Sequence, residues 1–191
     1  MFALVELTDG GVHPPDEMPF AVPWTRTPLP QRRWDTMQHF WQQWASWRPT
    51  SWTLPFASTC DGEVVGMISL EADDFPDRRV VGTGSWIGLG HQGVGFGTEQ
   101  RAAVLAFAFD HLGAVRATSA AWETNIASRR VSEKLGYRHN GDHLGVVEGR
   151  RRRGVSFAID RDDWERERAT NPLHVPVTYE GVAEALPQFG L

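Results

Sequence analysis

Between residues 79 and 122 the chain reads as a strand, a helix and a second strand, with the stretch HQGVGFGTEQ at the first junction. Two strands of one sheet joined through a helix run parallel, because a crossover of that length returns the chain to the same sheet end. The other strand-like runs lie in pairs joined by short turns, the pattern of antiparallel neighbours. This order predicts an α+β fold: a mixed, mainly antiparallel sheet with a central parallel pair, flanked by helices.

The individual elements follow from spacing. Residues 79–89 read as a strand, 98–112 as a helix with Leu105, Phe109 and Leu112 on its buried side, 115–122 as the next strand, and 126–135 as a helix that Gly136 stops. Upstream, residues 54–60 and 63–70 form a hairpin around Asp61-Gly62, a pair that tolerates positive φ. Downstream, 144–148 and 155–160 flank the basic run 150–153 as a closing hairpin. Residues 2–8 read as a short helix closed by Gly10 and Gly11, and six prolines between Pro14 and Pro30 then mark a long loop, ordered only if it packs on something. Residues 31–47 are helical, with Trp34, Met37, Trp41 and Trp44 on one face, and such a stripe is core more often than binding surface.

Composition sets the class. A chain of 191 residues, 41% apolar, is long enough for one core, taken as a domain over residues 1–170 with a tail, 171–191, that packs on it or on a neighbour. The net charge of −5 gives no reason to expect nucleic acid or an anionic membrane as partner. Cys60 is the single cysteine and the His and Cys residues lack zinc-type spacing, so no metal and a cytoplasmic setting are expected. No basic leader and no apolar run of about 18 residues is present, which predicts neither a signal peptide nor a membrane span.

The glycines of HQGVGFGTEQ carry the functional signal. A turn opening a helix presents unpaired amides and the positive end of the helix dipole, and removing Cβ atoms lets a phosphate reach them. A tight turn with no ligand is the plainer alternative. A nucleoside-triphosphate loop would need a lysine after the last glycine, where Thr98 stands, and a dinucleotide fold would need a different glycine spacing and more parallel sheet.

Gln92-Gly93-Val94-Gly95-Phe96-Gly97 resembles the Q/R-x-x-G-x-G/A signature of the GNAT superfamily of acyl-CoA-dependent N-acetyltransferases. Residues 125–137, NIASRRVSEKLGY, are similar to the N-x-x-S-x-x-V-x-x-K-L-G-Y/F helix of that family. The closing strand and Arg161-Asp162-Asp163-Trp164 resemble its ribosomal-protein N-terminal acetyltransferase branch, and GVHPPDEMPFAVPWTR and PQFGL resemble actinobacterial members. The resemblance implies a parallel pair splayed to admit pantetheine. It also exposes a departure, since the family's first strand is missing here and residues 2–8 stand where its first helix ends.

The resemblance implies transfer of an acyl group from acetyl-CoA, or another acyl-CoA such as succinyl-CoA, to a primary amine of a protein or small molecule by direct attack. Gln92, Gly93, Val94, Gly95, Phe96, Gly97 and Thr98 would hold the pyrophosphate, with Asn125 and Ser128 toward the pantetheine, although Asn125 also suits a plain helix cap. Ser132 occupies the place of the tyrosine that protonates the leaving thiolate in many members; a solvated helix-face position is its other reading. For a general base the strand ends offer Glu123 first, Asp74 second, and Glu71. Trp34, Trp41 and Trp122 would border the acceptor, and the protein would act as a monomer or homodimer. A catalytically weak acyl-CoA-binding module and an ATP- or NAD-binding protein are the alternatives from other classes.

Overall fold

The computed structural model describes residues 1–174 and 176–191; Val175, inside the predicted tail, lies outside the described residues. Strands β1 (Trp52–Cys60), β2 (Glu63–Ala72), β3 (Val80–Ile87), β4 (Arg116–Trp122), β5 (Arg138–Val147) and β6 (Arg150–Asp160) form a sheet in the order β1-β2-β3-β4-β6-β5. Of its neighbouring pairs β3 and β4 are parallel and the others antiparallel, as the order of elements predicts. The helices are α1 (Phe2–Leu7), α2 (Gln31–Ala45), α3 (Phe75–Arg78), α4 (Phe96–Asp110), α5 (Ile126–Lys134), α6 (Arg161–Thr170) and α7 (Val182–Ala185).

Strand alternation divides the core between the two faces of the sheet. Ile68, Leu70 and Ala72 of β2 join Leu105, Phe109 and Leu112 in the main core, with Trp164 stacked on Phe109. Met67, out of phase with them, packs with Leu4, Val5, Met37 and Phe40 from α1 and α2. The N-terminal segment is helical as expected, and the sheet begins at β1. Pro55 sits in that edge strand, where a residue without an N–H is tolerated and discourages further strand addition.

Three expectations are corrected. Of the predicted stripe on α2 Met37 is buried, together with Thr36 and Phe40, whereas Trp34, Trp41 and Trp44 are 60%, 51% and 61% exposed. The tryptophan spacing does mark one helix face, but α2 rests on α1 and β2 through its smaller side. The basic run 150–153 belongs to β6 and pairs with residues 144–147; the turn is Glu148-Gly149, both with positive φ, the geometry of a two-residue hairpin. Helix α4 begins at Phe96, two residues before the predicted start.

The C-terminal segment lies on the domain. Phe189 is buried among Trp47, Trp52 and Phe107, Trp47 Nε1 donates to the Gln188 carbonyl at 2.9 Å, and Tyr179 Oη donates to the Ala103 carbonyl at 2.9 Å. The proline loop is likewise tied down. Arg152 donates to the Met18 carbonyl at 3.0 Å, Arg26 pairs with Glu148, and His13, Phe20, Trp24 and Trp86 form a chain of ring contacts.

Candidate active site

The parallel pair closes over three residues only, Val80–Gly82 against Arg116–Thr118. Beyond them β3 stays paired to β2 as far as Ile87, and β4 to β6 as far as Trp122. The two strands therefore part, and the wedge opens into a cleft of about 510 Å³. Its walls are β3 from Thr83 to Ile87, the glycine turn, the start of α4, one side of α5, and the proline loop near His13, Glu17 and Phe20.

Local geometry explains the turn. Gly93 and Gly95 have φ of +81° and +109°, and Gly95 caps α4 with no side chain on the helix amides. Amides left without a side-chain cap at the positive end of a helix dipole are suited to hold an anion. A Cβ on Gly97 would find protein atoms no nearer than 3.9 Å, so packing within the protein does not require glycine there. Gln92, Gly93, Gly95, Phe96, Gly97 and Thr98 line the cleft; Val94 is 72% exposed and turns away from it. The Gln92 amide is engaged inside the protein, donating to the Val12 and Ile87 carbonyls at 2.9 Å each.

On the opposite wall Asn125 caps α5, its Oδ1 accepting from the Ser128 amide at 3.1 Å, and both residues line the cleft. Arg130 and Lys134 bring positive charge to the same wall. Ser132 is 1% exposed and sits behind the wall; its Oγ accepts from Arg101 Nη1 at 2.9 Å. Arg101 is itself 3% exposed and lines the cleft floor, and burial lowers its pKa from the ordinary guanidinium value. Nearby the Tyr137 hydroxyl is buried with no partner in hydrogen-bonding geometry; burial pushes its pKa up to about 12, against the opposing pull of Arg101.

A second pocket adjoins the cleft and shares Glu17, Pro19 and Asn125 with it. Trp122, Glu123 and Arg151, Arg152 and Arg153 complete it. Glu123 Oε1 accepts from Arg153 Nη1 at 3.2 Å, and the Trp122 indole packs against Met18 and Val147.

The other predicted residues are not brought here. Asp74 caps α3 just past the end of β2, and β2 runs opposite to β3, so that end lies away from the glycine turn. Glu71 lines a separate pocket at the same far end, opposite Gly82. Trp34 and Trp41 lie on the exposed face of α2, outside both pockets. Sequence reading missed Arg101, Arg130, Lys134 and Glu17. A signal for Arg101 existed, since it falls four residues before Leu105 on the face read as buried. Among the described residues no group of three or more His, Cys, Asp or Glu side chains is placed to hold a metal.

Comparison with solved structures returns the same architecture. Mycobacterium smegmatis RimJ, in complex with CoA-disulfide, is 23% identical with a TM-score of 0.67 over 88% of this chain and 82% of its own. RimL, a ribosomal L7/L12 alpha-N-protein acetyltransferase in complex with coenzyme A, is 16% identical with a TM-score of 0.65 over 85% and 87%. A Vibrio cholerae spermidine N-acetyltransferase, SpeG, is 15% identical with a TM-score of 0.57 over 68% and 76%. At these identities the likeness is one of fold. The sequence itself goes further, because residues 11–138 match the model of the acetyltransferase (GNAT) domain. That match covers well over half of the chain and contains the splayed strands, the glycine turn and α5, so this chain belongs to the GNAT family of acyl-CoA-dependent N-acetyltransferases.

Proposed function

We propose that this protein transfers an acetyl group from acetyl-CoA to a primary amine by direct attack of the amine on the thioester. The observation that carries the reading is the splay of β3 from β4, which opens onto an uncapped helix start walled by Arg130 and Lys134. Phosphates at the turn would leave the pantetheine arm to run between the strands past Asn125 and Ser128. Trp122 and Glu123 border the adjoining pocket, where the acceptor amine would enter, with Glu123 as the carboxylate that takes its proton. Ser132 stands with Arg101 where the sulfur would leave. A protein N-terminus is the acceptor we favour, because RimL, a ribosomal L7/L12 alpha-N-protein acetyltransferase, shares this fold.

A succinyl donor has one observation on its side: Arg151, Arg152 and Arg153 line the acceptor-side pocket, and a terminal carboxylate would suit them. We take residues 1–170 as the acyltransferase domain, 171–191 as its tail, the molecule as a monomer or homodimer, and its setting as cytoplasmic. No helix among the described residues is long and apolar enough to cross a membrane. The test is thermal unfolding with acetyl-CoA, succinyl-CoA, coenzyme A, ATP and NAD, followed by thiol release against peptide and polyamine acceptors. A ligand at about 100 times its dissociation constant adds about 2.7 kcal/mol. Stabilisation by the coenzyme A compounds alone, and thiol release with an amine, are expected; stabilisation by ATP or NAD alone would remove the reading.

A further inference from the structure

The floor of the cleft holds a cation that no carboxylate pairs with among the described residues. Arg101 reaches it from the second turn of α4, and among the described residues its hydrogen-bond partners are hydroxyls alone. Nη1 donates to Ser119 Oγ at 3.2 Å and to Ser132 Oγ at 2.9 Å, and Nη2 donates to Ser85 Oγ at 3.2 Å. Its Nε has no partner, and the titratable group beside it is the Tyr137 phenol, not a carboxylate. An ionised group removed from water without a counter-charge is strongly unfavourable, which three neutral hydroxyls offset only in part. A neutral side chain of the same length would fill the space more favourably if filling it were all that was needed.

The position of the charge is specific. Ser85 lies three residues beyond Gly82, the last β3 residue paired to β4, and Ser119 one residue beyond Thr118, its partner. The guanidinium therefore spans the two strands where they separate, and it lines the space between them. Ser132 cannot easily play a separate acid there. It is 1% exposed, its oxygen accepts from Arg101, and its own hydroxyl is directed to the Ser128 carbonyl at 3.4 Å.

We propose that Arg101 is a catalytic residue that receives the negative charge developing on the departing coenzyme A sulfur, with Ser85, Ser119 and Ser132 positioning its guanidinium in the floor of the splay. The inference rests on the acyl-transfer reading above. In that step the amine nitrogen forms the new C–N bond, the C–S bond breaks, and its electron pair goes to sulfur. The proton lost from nitrogen leaves on the acceptor side. Sulfur departs as a thiolate beside the cation and takes its proton from water on release. A thiol of ordinary pKa, about 8.5, leaves better when a buried positive charge favours its anion. This arrangement needs no side-chain acid, and it accounts for a serine where other family members carry tyrosine.

The experiment is a pH titration of bound coenzyme A, read by thiolate ultraviolet absorbance, in the wild type, Arg101→Lys and Arg101→Met, with binding measured by calorimetry. In the wild type the bound thiol should ionise about one pH unit or more below free coenzyme A. Arg101→Lys should retain part of that shift, and Arg101→Met should lose it. Turnover in Arg101→Met should fall about 100-fold, as for removal of one transition-state donor, with KM for acetyl-CoA little changed. Arg101→Met should melt no lower than the wild type, since the buried charge is gone. An unshifted thiol in a wild type that binds coenzyme A overturns the proposal, and that reading needs no variant to fold. So does a preference for succinyl-CoA over acetyl-CoA that vanishes with Arg101, since the guanidinium would then be reading a donor carboxylate. Failure of the wild type to bind coenzyme A removes the acyl-transfer reading itself.

Discussion

Gly145 of β5 faces the indole of Trp122 so closely that a Cβ on it would lie 2.6 Å from Cη2. The indole borders the second pocket, so its position depends on an atom that β5, two strands away across β6, lacks. Gly145→Ala should push the ring toward Met18 and Val147, with which it already packs. Overpacking of this kind destabilises by roughly 1–3 kcal/mol. We expect that loss in urea unfolding, together with a fall in kcat/KM for the amine and an unchanged dissociation constant for coenzyme A.

Gly95 combines φ of +109° with the cap of α4. A residue with a Cβ in this left-handed geometry is destabilised by roughly 1–2 kcal/mol. Gly95→Ala should lower stability by about that much and weaken coenzyme A binding further, because the helix amides shift with the turn. Calorimetric titration of coenzyme A checks the second effect; equal affinity would mean that the phosphates lie elsewhere.

Gln92 joins the glycine turn to the N-terminal loop through its bond to Val12 and to the end of β3 through its bond to Ile87. Each is worth about 0.5–1.5 kcal/mol net, so Gln92→Ala should destabilise by roughly 1–3 kcal/mol. The effect should be local. Limited proteolysis should cut the proline loop faster in the variant, while the core strands keep their hydrogen-exchange protection.

Phe189 is 3% exposed, and its ring meets Trp47, Trp52 and Phe107 edge-on. Phe189→Ala should lower stability by about 3–5 kcal/mol, the usual range for a buried phenylalanine. Near-ultraviolet circular dichroism of the tryptophans should change with it. A loss under 1 kcal/mol would show that the tail contributes little to this core.

Glu71 of β2 lies over Gly82; the residue is exposed to solvent, but partial desolvation of its carboxyl against the sheet, reinforced by Asp73, raises its pKa above the ordinary carboxylate value. The folded protein then holds this proton more tightly than the unfolded chain, so ionisation opposes folding. Stability from this group is gained as pH falls through the folded pKa toward the unfolded value of about 4.3, and its absence is complete above the folded pKa. Glu71→Gln should therefore raise the urea midpoint at pH 7 and flatten the rise that the wild type shows on mild acidification. A lower midpoint at pH 7 would contradict it.

Much of this protein was legible in the residues alone. The order of strands and helices determined a mixed sheet with one parallel crossover, and Gly93 and Gly95 ahead of a helix determined a tight turn at its start, because hydrogen-bond patterns and positive φ are local properties. Asn125 as a cap was readable for the same reason. What the chain could not disclose depended on which distant segments meet. The spacing of Trp34, Trp41 and Trp44 marked a helix face, but only the packing of α2 on α1 and β2 decided that this face would look outward. Asp74 and Glu123 both end strands, and only the antiparallel direction of β2 separates them. Arg101 is charged, so its burial could not follow from hydropathy; three serines from β3, β4 and α5 converge on it only once the parallel strands part. Sequence determined the elements and the turn, which short-range sterics and hydrogen bonding govern, whereas the charge at the floor of the cleft is a product of long-range packing alone.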